Sequence, residues 1–326
     1  MAVSTISART STKGDQGRVH CIIISARESE EYQIVERALL KEDPSIIVLP
    51  FERVFTQPEL LDQCDLIFTV GGDGTVAWLV GTFFKLFQDV KSLKPICPII
   101  RPDSVGYLRQ LDLQPEERLR EGLRRILEGN YRVQYRTILK TNVDNQTFFA
   151  VNEIFLHSEP HLSKINVYVE SDEGADSKEL LTETMADGIM IVTPIGSTAW
   201  ALSHQGQVSI NEDALELVFV GGMHSSENFT LPRKKVYIDV TIKNPTVTKE
   251  SIGAYNQYRE KIGLGKDPIA SKVLQIVYGP RLIVDGKIVA FGTSNMVIDP
   301  SQSIPFLILQ KETAIAKARK LTRMRW

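Results

Sequence analysis

The chain has 326 residues, 43% hydrophobic, 8% aromatic and 24% charged, which supplies a core and excludes wholesale disorder. Lys plus Arg number 38 and Asp plus Glu 40, a formal net charge of -2, so no whole-chain field favours nucleic acid. No apolar run reaches the roughly 18 residues of a membrane-spanning helix, and Cys21, Cys64 and Cys97 are too scattered for a disulfide framework or a zinc cluster.

Residues 1–14 carry Arg9 and Lys13, several Ser and Thr, and no acid. That is the composition of an organelle transit peptide and equally of a flexible arm. The plainer reading is a flexible N-terminus over 1–18 of a cytoplasmic protein, with organelle import as the alternative. His20 to Ser25 reads as a buried strand, followed by a helix with Ile34, Val35, Ala38 and Leu39 on one face. Ser45 to Leu49 and Asp65 to Val70 read as strands, Thr75 to Phe87 as a long helix, and Ile96 to Ile100 as another short strand. Leu119, Leu123, Ile126 and Leu127 recur at helical spacing, between Pro115 as a start signal and Gly129 as a stop. Strands alternating with helices predict an α/β domain over 19–130, a Rossmann-like parallel sheet covered on both faces.

Past Asn130 the period changes to two. Tyr131, Val133 and Tyr135 alternate with polar residues, as do Ile165, Val167 and Val169, and then Val236, Ile238, Val240 and Ile242. Such strands have one buried and one wet face, which predicts a β-rich, sandwich-like domain over 131–310 with one helical interruption near Thr198. Residues 247–272 are polar, contain three glycines and read as a long loop or insertion. The end, 311–326, is basic: Lys311, Lys317, Arg319, Lys320, Arg323 and Arg325 accompany Ile315, Ala318 and Leu321 at helical spacing. A solvated helix packing on the body is preferred there to attachment to a membrane or polyanion.

Gly71-Gly72-Asp73-Gly74-Thr75 lies between a strand ending at Val70 and the helix opening at Thr75. Glycines allow a tight turn and close approach of a ligand to the main chain, and a helix N-terminus favours phosphate. The loop holds no Lys or Arg and is neither a Walker loop nor a Gly-x-Gly-x-x-Gly turn. A carboxylate beside an anion site repels it unless it has a task, such as orienting a metal or taking a proton from an attacking hydroxyl. The bland reading is a turn with Asp73 as a local acceptor. A second turn follows Asp187-Gly188 and the apolar run Ile189 to Val192: Thr193-Pro194-Ile195-Gly196-Ser197-Thr198-Ala199-Trp200. Ser197 and Thr198 suit a helix cap or a nucleotide, and Trp200 suits a base or the core. Asn152-Glu153 interrupts the strand-like run Phe148 to Leu156 with polar groups that need partners if buried.

Together, in this order, these three blocks resemble the NAD kinase family over roughly residues 20–310. The first block is shared with diacylglycerol and sphingosine kinases; the block ending at Trp200 is the more specific. The resemblance implies transfer of the terminal phosphate of ATP, or of another donor, to the 2′-hydroxyl of the adenosine ribose of NAD, giving NADP. It implies Asp73 as the base and Gly71, Gly72, Gly74 and Thr75 as the phosphate turn. It places Asn152 and Glu153 against the adenosine part of NAD, Asp187 toward the nicotinamide half, and Thr198, Ala199, Trp200 and Ser203 around the adenine. Mg²⁺ or Mn²⁺ would enter with the donor, the partners would be small nucleotides, and the chain would form homodimers or homotetramers. Phosphoryl transfer fits, being mainly positioning and charge neutralisation. The alternatives are a lipid or sphingoid kinase and a non-catalytic NAD-binding sensor or regulatory subunit.

The chain departs from the family pattern in several places. Ile195 stands where a hydroxyl residue is usual, and Trp200 where Tyr is. His204-Gln205-Gly206 replaces a small-residue segment, and a His-Ser-Leu-Ser-x-Arg-Pro stretch is reduced to His224-Ser225-Ser226-Glu227-Asn228. Arg101-Pro102-Asp103 replaces an Asn-x-Gly before Gly106-Tyr107-Leu108. These changes bear on substrate preference and donor geometry and do not touch the proposed base.

Overall fold

The computed structural model describes residues 19–26, 28–87, 92–102, 104, 106–158, 163–172, 177–222, 228–242, 256–263 and 280–309. The basic segments 1–14 and 311–326 lie outside these residues, as do Asp103 and His224 to Glu227.

In chain order the elements begin with β1 (Cys21–Ala26), α1 (Ser29–Glu42), β2 (Ile47–Pro50), a 3-10 turn, α2 (Leu60–Gln63), β3 (Leu66–Val70), α3 (Asp73–Phe87), β4 (Ile96–Ile100), β5 (Leu111–Asp112), α4 (Glu116–Leu127) and β6 (Arg132–Thr137). Then follow β7 (Leu139–Val143), β8 (Gln146–Ala150), β9 (Glu153–His157), β10 (Ser163–Glu170), β11 (Lys178–Ala186), β12 (Gly188–Val192), a 3-10 turn at Gly196–Thr198, α5 (Trp200–Ser203), β13 (Ala214–Val220), β14 (Phe229–Pro232), β15 (Val236–Ile242), β16 (Arg281–Val284), β17 (Lys287–Phe291), β18 (Asn295–Asp299) and β19 (Ser303–Ile308).

The first unit is built on a sheet in the order β2-β1-β3-β4-β19-β6, with β5 also on β4. The pairs up to β19 are parallel, and β6 closes the edge antiparallel to β19. The inner strands β1, β3 and β4 are buried on both faces, which is why they read as unbroken apolar runs. Ile22, Ile24, Phe68, Val70 and Ile99 pack with Val35, Ala38 and Leu39 of α1 and Leu119, Leu123 and Ile126 of α4. On the other side Ile23 and Ile67 are buried, as are Val76, Leu79, Val80 and Phe83 of α3. The cysteines are free and buried, as plain core thiols should be.

Helices α1 and α4 are clasped by one carboxylate. Arg120 Nε and Arg124 Nε donate to the two oxygens of Glu42 at 2.7 and 2.9 Å. The Arg124 bond, then that of Arg120, outweighs burial and holds the Glu42 carboxyl below its usual range. That contribution is present above the ordinary carboxylate pKa and fades as pH falls through the lowered one. Glu42→Gln should therefore lower stability by about 1 kcal/mol or less near neutrality, because the arginines are solvated. The difference should vanish in acid, read as converging urea midpoints.

The second unit holds two six-stranded sheets. One runs β11-β10-β15-β18-β7-β8, the other β14-β13-β12-β9-β16-β17, all antiparallel. The period of two does its work here: Ile165, Val167, Val236, Ile238 and Val240 of one sheet share a core with Ile154, Leu156, Ile189, Ile191, Leu215 and Leu217 of the other. The α/β plus β-rich fold class thus describes the molecule.

The domain division differs from the one expected at residue 130. The first unit runs to Ile138 and takes back Val208–Glu212 and the chain from Gln302; the second comprises Leu139–Gln207 and Asp213–Ser301. The alternation over 131–136 belongs to β6, an edge strand of the first sheet, whose partner β19 lies at the far end of the chain. An edge strand with one wet face has the same period in either architecture. The stretch expected as a loop over 247–272 is also corrected in part, since residues 256–261 are helical.

Candidate functional site

In the first unit the glycine turn joins β3 to α3, and the helix begins at Asp73, two residues before the expected Thr75. Gly71 donates its N–H to Ile99 O at 3.0 Å and Thr75 to Gly72 O at 2.9 Å. Gly71 has φ +152°, and a Cβ there would overlap the Thr75 side chain, so the turn requires glycine at this position. At Gly74 a Cβ would meet nothing within 4 Å, so folding itself does not demand a glycine.

Asp73 is oriented by the segment after β4. Tyr107 N–H donates to Oδ2 at 2.7 Å and Leu108 N–H to Oδ1 at 3.1 Å. One bond to each oxygen fixes the plane of the carboxylate. Arg101, at the departure before Gly106, joins Glu31 of α1 at 3.1 Å and donates to Ser104 Oγ at 3.1 Å. The replaced segment is therefore tied to the helix beside it.

In the second unit Asn152 and Glu153 form the corner between β8 and β9. The corner is held from two sides. Thr193 N–H donates to Asn152 O at 2.9 Å, the Thr193 hydroxyl donates to Val151 O at 2.6 Å, and that hydroxyl accepts from Gly196 N–H at 3.0 Å. From the other side the Asp285 carboxylate accepts N–H groups from Val151 at 2.9 Å, Asn152 at 2.7 Å and Glu153 at 3.3 Å. Glu153 is 2% exposed, and its Oε2 is buried without a hydrogen-bond partner. Burial, and then the charge of Asp285, pushes its carboxyl up to about 8. Asp285 is itself raised to about 6 by burial, against the pull of the amides and Lys287.

Glu153 faces Val192 on β12, which faces Glu216 on β13. Directly opposed residues share a face, so two buried acids lie in one row about 10 Å apart. Glu216 is 5% exposed, accepts the Gln207 N–H, and is raised by burial. The same face carries an apolar patch of Phe155, Met190, Val192, Val218 and Ile283, capped by Ala201 of α5.

Trp200 is 39% exposed and stands edge-on to Phe155 at 5.1 Å, so it joins this face without being core. Thr198 is buried and its hydroxyl donates to Ile195 O at 3.2 Å; the exposed Ser203 hydroxyl donates to Trp200 O at 2.7 Å. Ala199 is half-buried between them. Asp187 sits before the opposite end of β12 from Val192, about 16 Å along the strand. There its N–H donates to Val220 O at 2.9 Å, and its O accepts from Ser158 N–H at 2.6 Å. The structure thus gathers Asn152, Glu153 and the Thr193–Trp200 segment, leaves Asp187 at the other end, and places Asp73 with the glycine turn in the first unit. Sequence reasoning missed Asp285 and Glu216. Asp285-Gly286 between two apolar runs is a hairpin signal, and Glu216 interrupts an apolar strand just as Glu153 does.

A family profile described as the ATP-NAD kinase C-terminal domain matches residues 151–242. Relatives include the mitochondrial NADH kinase POS5 of Saccharomyces cerevisiae, 26% identical over 57% of this chain and 43% of its own. The NAD kinase of Teredinibacter turnerae is 31% identical over 57% of this chain and 60% of its own. Among solved structures, yeast NADH kinase complexed with NADH superposes with a TM-score of 0.67 over 95% of this chain and 89% of its own, at 18% identity. An NAD kinase from Archaeoglobus fulgidus in complex with ATP gives 0.63 over 92% and 99%, also at 18% identity. The matching profile, the curated relatives and the solved structures are all NAD or NADH kinases. The chain spans about half the length of the first curated relatives it matches, from 43% of the yeast protein to 60% of the Teredinibacter protein. The NAD kinase family profile begins at the Asn152–Glu153 corner and includes Asp187 and the Thr193–Trp200 turn; the glycine turn and Asp285 lie outside it.

Proposed function

We propose that the chain is an NAD kinase, moving the terminal phosphate of ATP to the 2′-hydroxyl of the adenosine ribose of NAD. The observation that carries this reading is the Asp73 carboxylate, fixed by Tyr107 and Leu108 at the start of α3 beside the glycine turn. In that place it accepts the proton of the attacking hydroxyl, while the turn and helix start receive the donor's phosphates. Asn152 and Glu153 hold the ribose and adenosine of NAD. Thr198, Ala199, Trp200 and Ser203 flank the adenine, and Asp187 serves the nicotinamide half. Among the described residues no group of three or more His, Cys, Asp or Glu could hold a metal ion. In the same reading Mg²⁺ or Mn²⁺ enters with the donor's phosphates and neutralises their charge. Self-association and a cytoplasmic site of action belong to the same reading.

The test is direct. Purified protein with ATP, Mg²⁺ and NAD should form NADP, detected by an NADP-specific dehydrogenase, with NADH as acceptor and polyphosphate as donor in parallel. No product in any arm, with NAD still bound, would favour a sensor. Gly74→Ala separates folding from ligand roles. A helix gains up to about 1 kcal/mol from this change, and no atom obstructs it. Its melting temperature should hold or rise while KM for ATP increases. An unchanged KM would remove Gly74 from the donor site.

A further inference from the structure

Asp285 and Gly286 form the tip of the β16–β17 hairpin, with φ +45° and +75°. Such a tip needs residues that tolerate the left-handed region, and Asn would serve it as well as Asp. The carboxylate has another use. It reaches the Val151–Glu153 corner and accepts three consecutive amides, while Asp285 N–H donates to Glu153 O at 3.1 Å. A corner between strands leaves amides that no ladder satisfies, and buried amides need acceptors. Here one side chain, more than 130 residues away, supplies them together.

We propose that Asp285 is a positioning residue for the acceptor nucleotide, acting only through the Asn152–Glu153 corner that it clamps. The inference rests on the NAD kinase reading. Displacing the corner moves the Asn152 amide and the Glu153 carboxyl together, because their backbone is tied to one carboxylate. Asp285 also acts on Glu153 by charge. The charge acting on Glu153 is that of Asp285 at the hairpin tip; Lys287 of β17 acts on Asp285, and Glu216 lies in the same row across Val192. Removing the Asp285 charge favours ionisation of Glu153, so the pH at which Glu153 loses its proton falls.

Asp285→Asn keeps the hairpin tip and side-chain shape and removes the charge. Relative to wild type, kcat/KM for NAD should fall about 10²-fold, mostly through KM, as displaced positioning groups do. KM for ATP should change by less than about twofold, because that contact is uniform binding made elsewhere. The pH dependence of KM for NAD should carry a limb set by Glu153, whose carboxyl burial and Asp285 raise, and in the variant that limb should move to lower pH. Without nucleotide, hydrogen exchange at amides 151–153 should speed up. Unchanged NAD kinetics with an unmoved limb would overturn the proposal, as would a loss of stability alone with full activity in the cold. Glu153→Gln leaves the clamp intact and serves if Asp285→Asn does not fold. It should abolish the limb, and a persisting limb would overturn the coupling. Failure of the kinase reading is seen separately, in a wild type that forms no NADP.

Discussion

Asp73→Asn should lower the rate of NADP formation about 10³-fold, the scale of a positioned proton acceptor, while leaving the fold and the nucleotide affinities nearly intact. The amide keeps one acceptor oxygen, so it satisfies one of the Tyr107 and Leu108 N–H groups and presents an NH₂ to the other. A lost backbone bond of this kind costs about 1 kcal/mol, too little to unfold a domain. The sign of the change in donor affinity is the sharper test. A carboxylate beside the phosphate turn repels ATP, so its neutral replacement should bind ATP as tightly as wild type or more tightly. Weaker ATP binding together with a lost rate would make Asp73 a donor-site or metal-orienting group rather than the base. A rate within tenfold of wild type would remove it from the chemistry.

The glycine turn was legible because its signals are local: an apolar strand, three glycines and the start of a helix within a short window. The strands of the second unit were legible for a similar reason, since a period of two needs no partner to be seen. What stayed hidden is long-range. The apolar run at 303–308 and the alternation at 132–137 form one strand pair, and neither segment names the other, so the change of period puts the boundary before β6 whereas the fold has it after. Asp285 shows the same limit at the site. In sequence it is half of a hairpin turn, and only the fold brings it to amides more than 130 residues distant. Glu216 was readable in kind, as a carboxylate in an apolar strand. Its row with Glu153 needed the register of three strands.

Gly196→Ala should be the most damaging single-methyl change in the second unit. The Gly196 backbone carries no unusual φ, so the usual argument for glycine does not apply. The obstacle is proximity: a Cβ at this position would lie 2.7 Å from Asn152 Cα and closer still to its carbonyl. Those are backbone atoms, which cannot rotate aside as a side-chain end does. Asn152 cannot retreat either, because its N–H is held by Asp285 at 2.7 Å and its O by Thr193 N–H at 2.9 Å. The 3-10 turn must therefore lift off the corner, straining the Thr193 bonds and carrying Thr198 and Trp200 with it. Overpacking of this kind costs about 3 kcal/mol. Each 1.4 kcal/mol that falls on the bound geometry is about tenfold in NAD affinity. Gly286→Ala provides the comparison. It has φ +75° but meets nothing within 4 Å, so it should cost only the backbone strain of a left-handed alanine, about 1 kcal/mol. Urea unfolding should rank the variants wild type, then Gly286→Ala, then Gly196→Ala, with NAD affinity falling most in the last. If the order of the two alanines is reversed, the contact between the Gly196 turn and the Asn152 main chain is not what holds this part of the site.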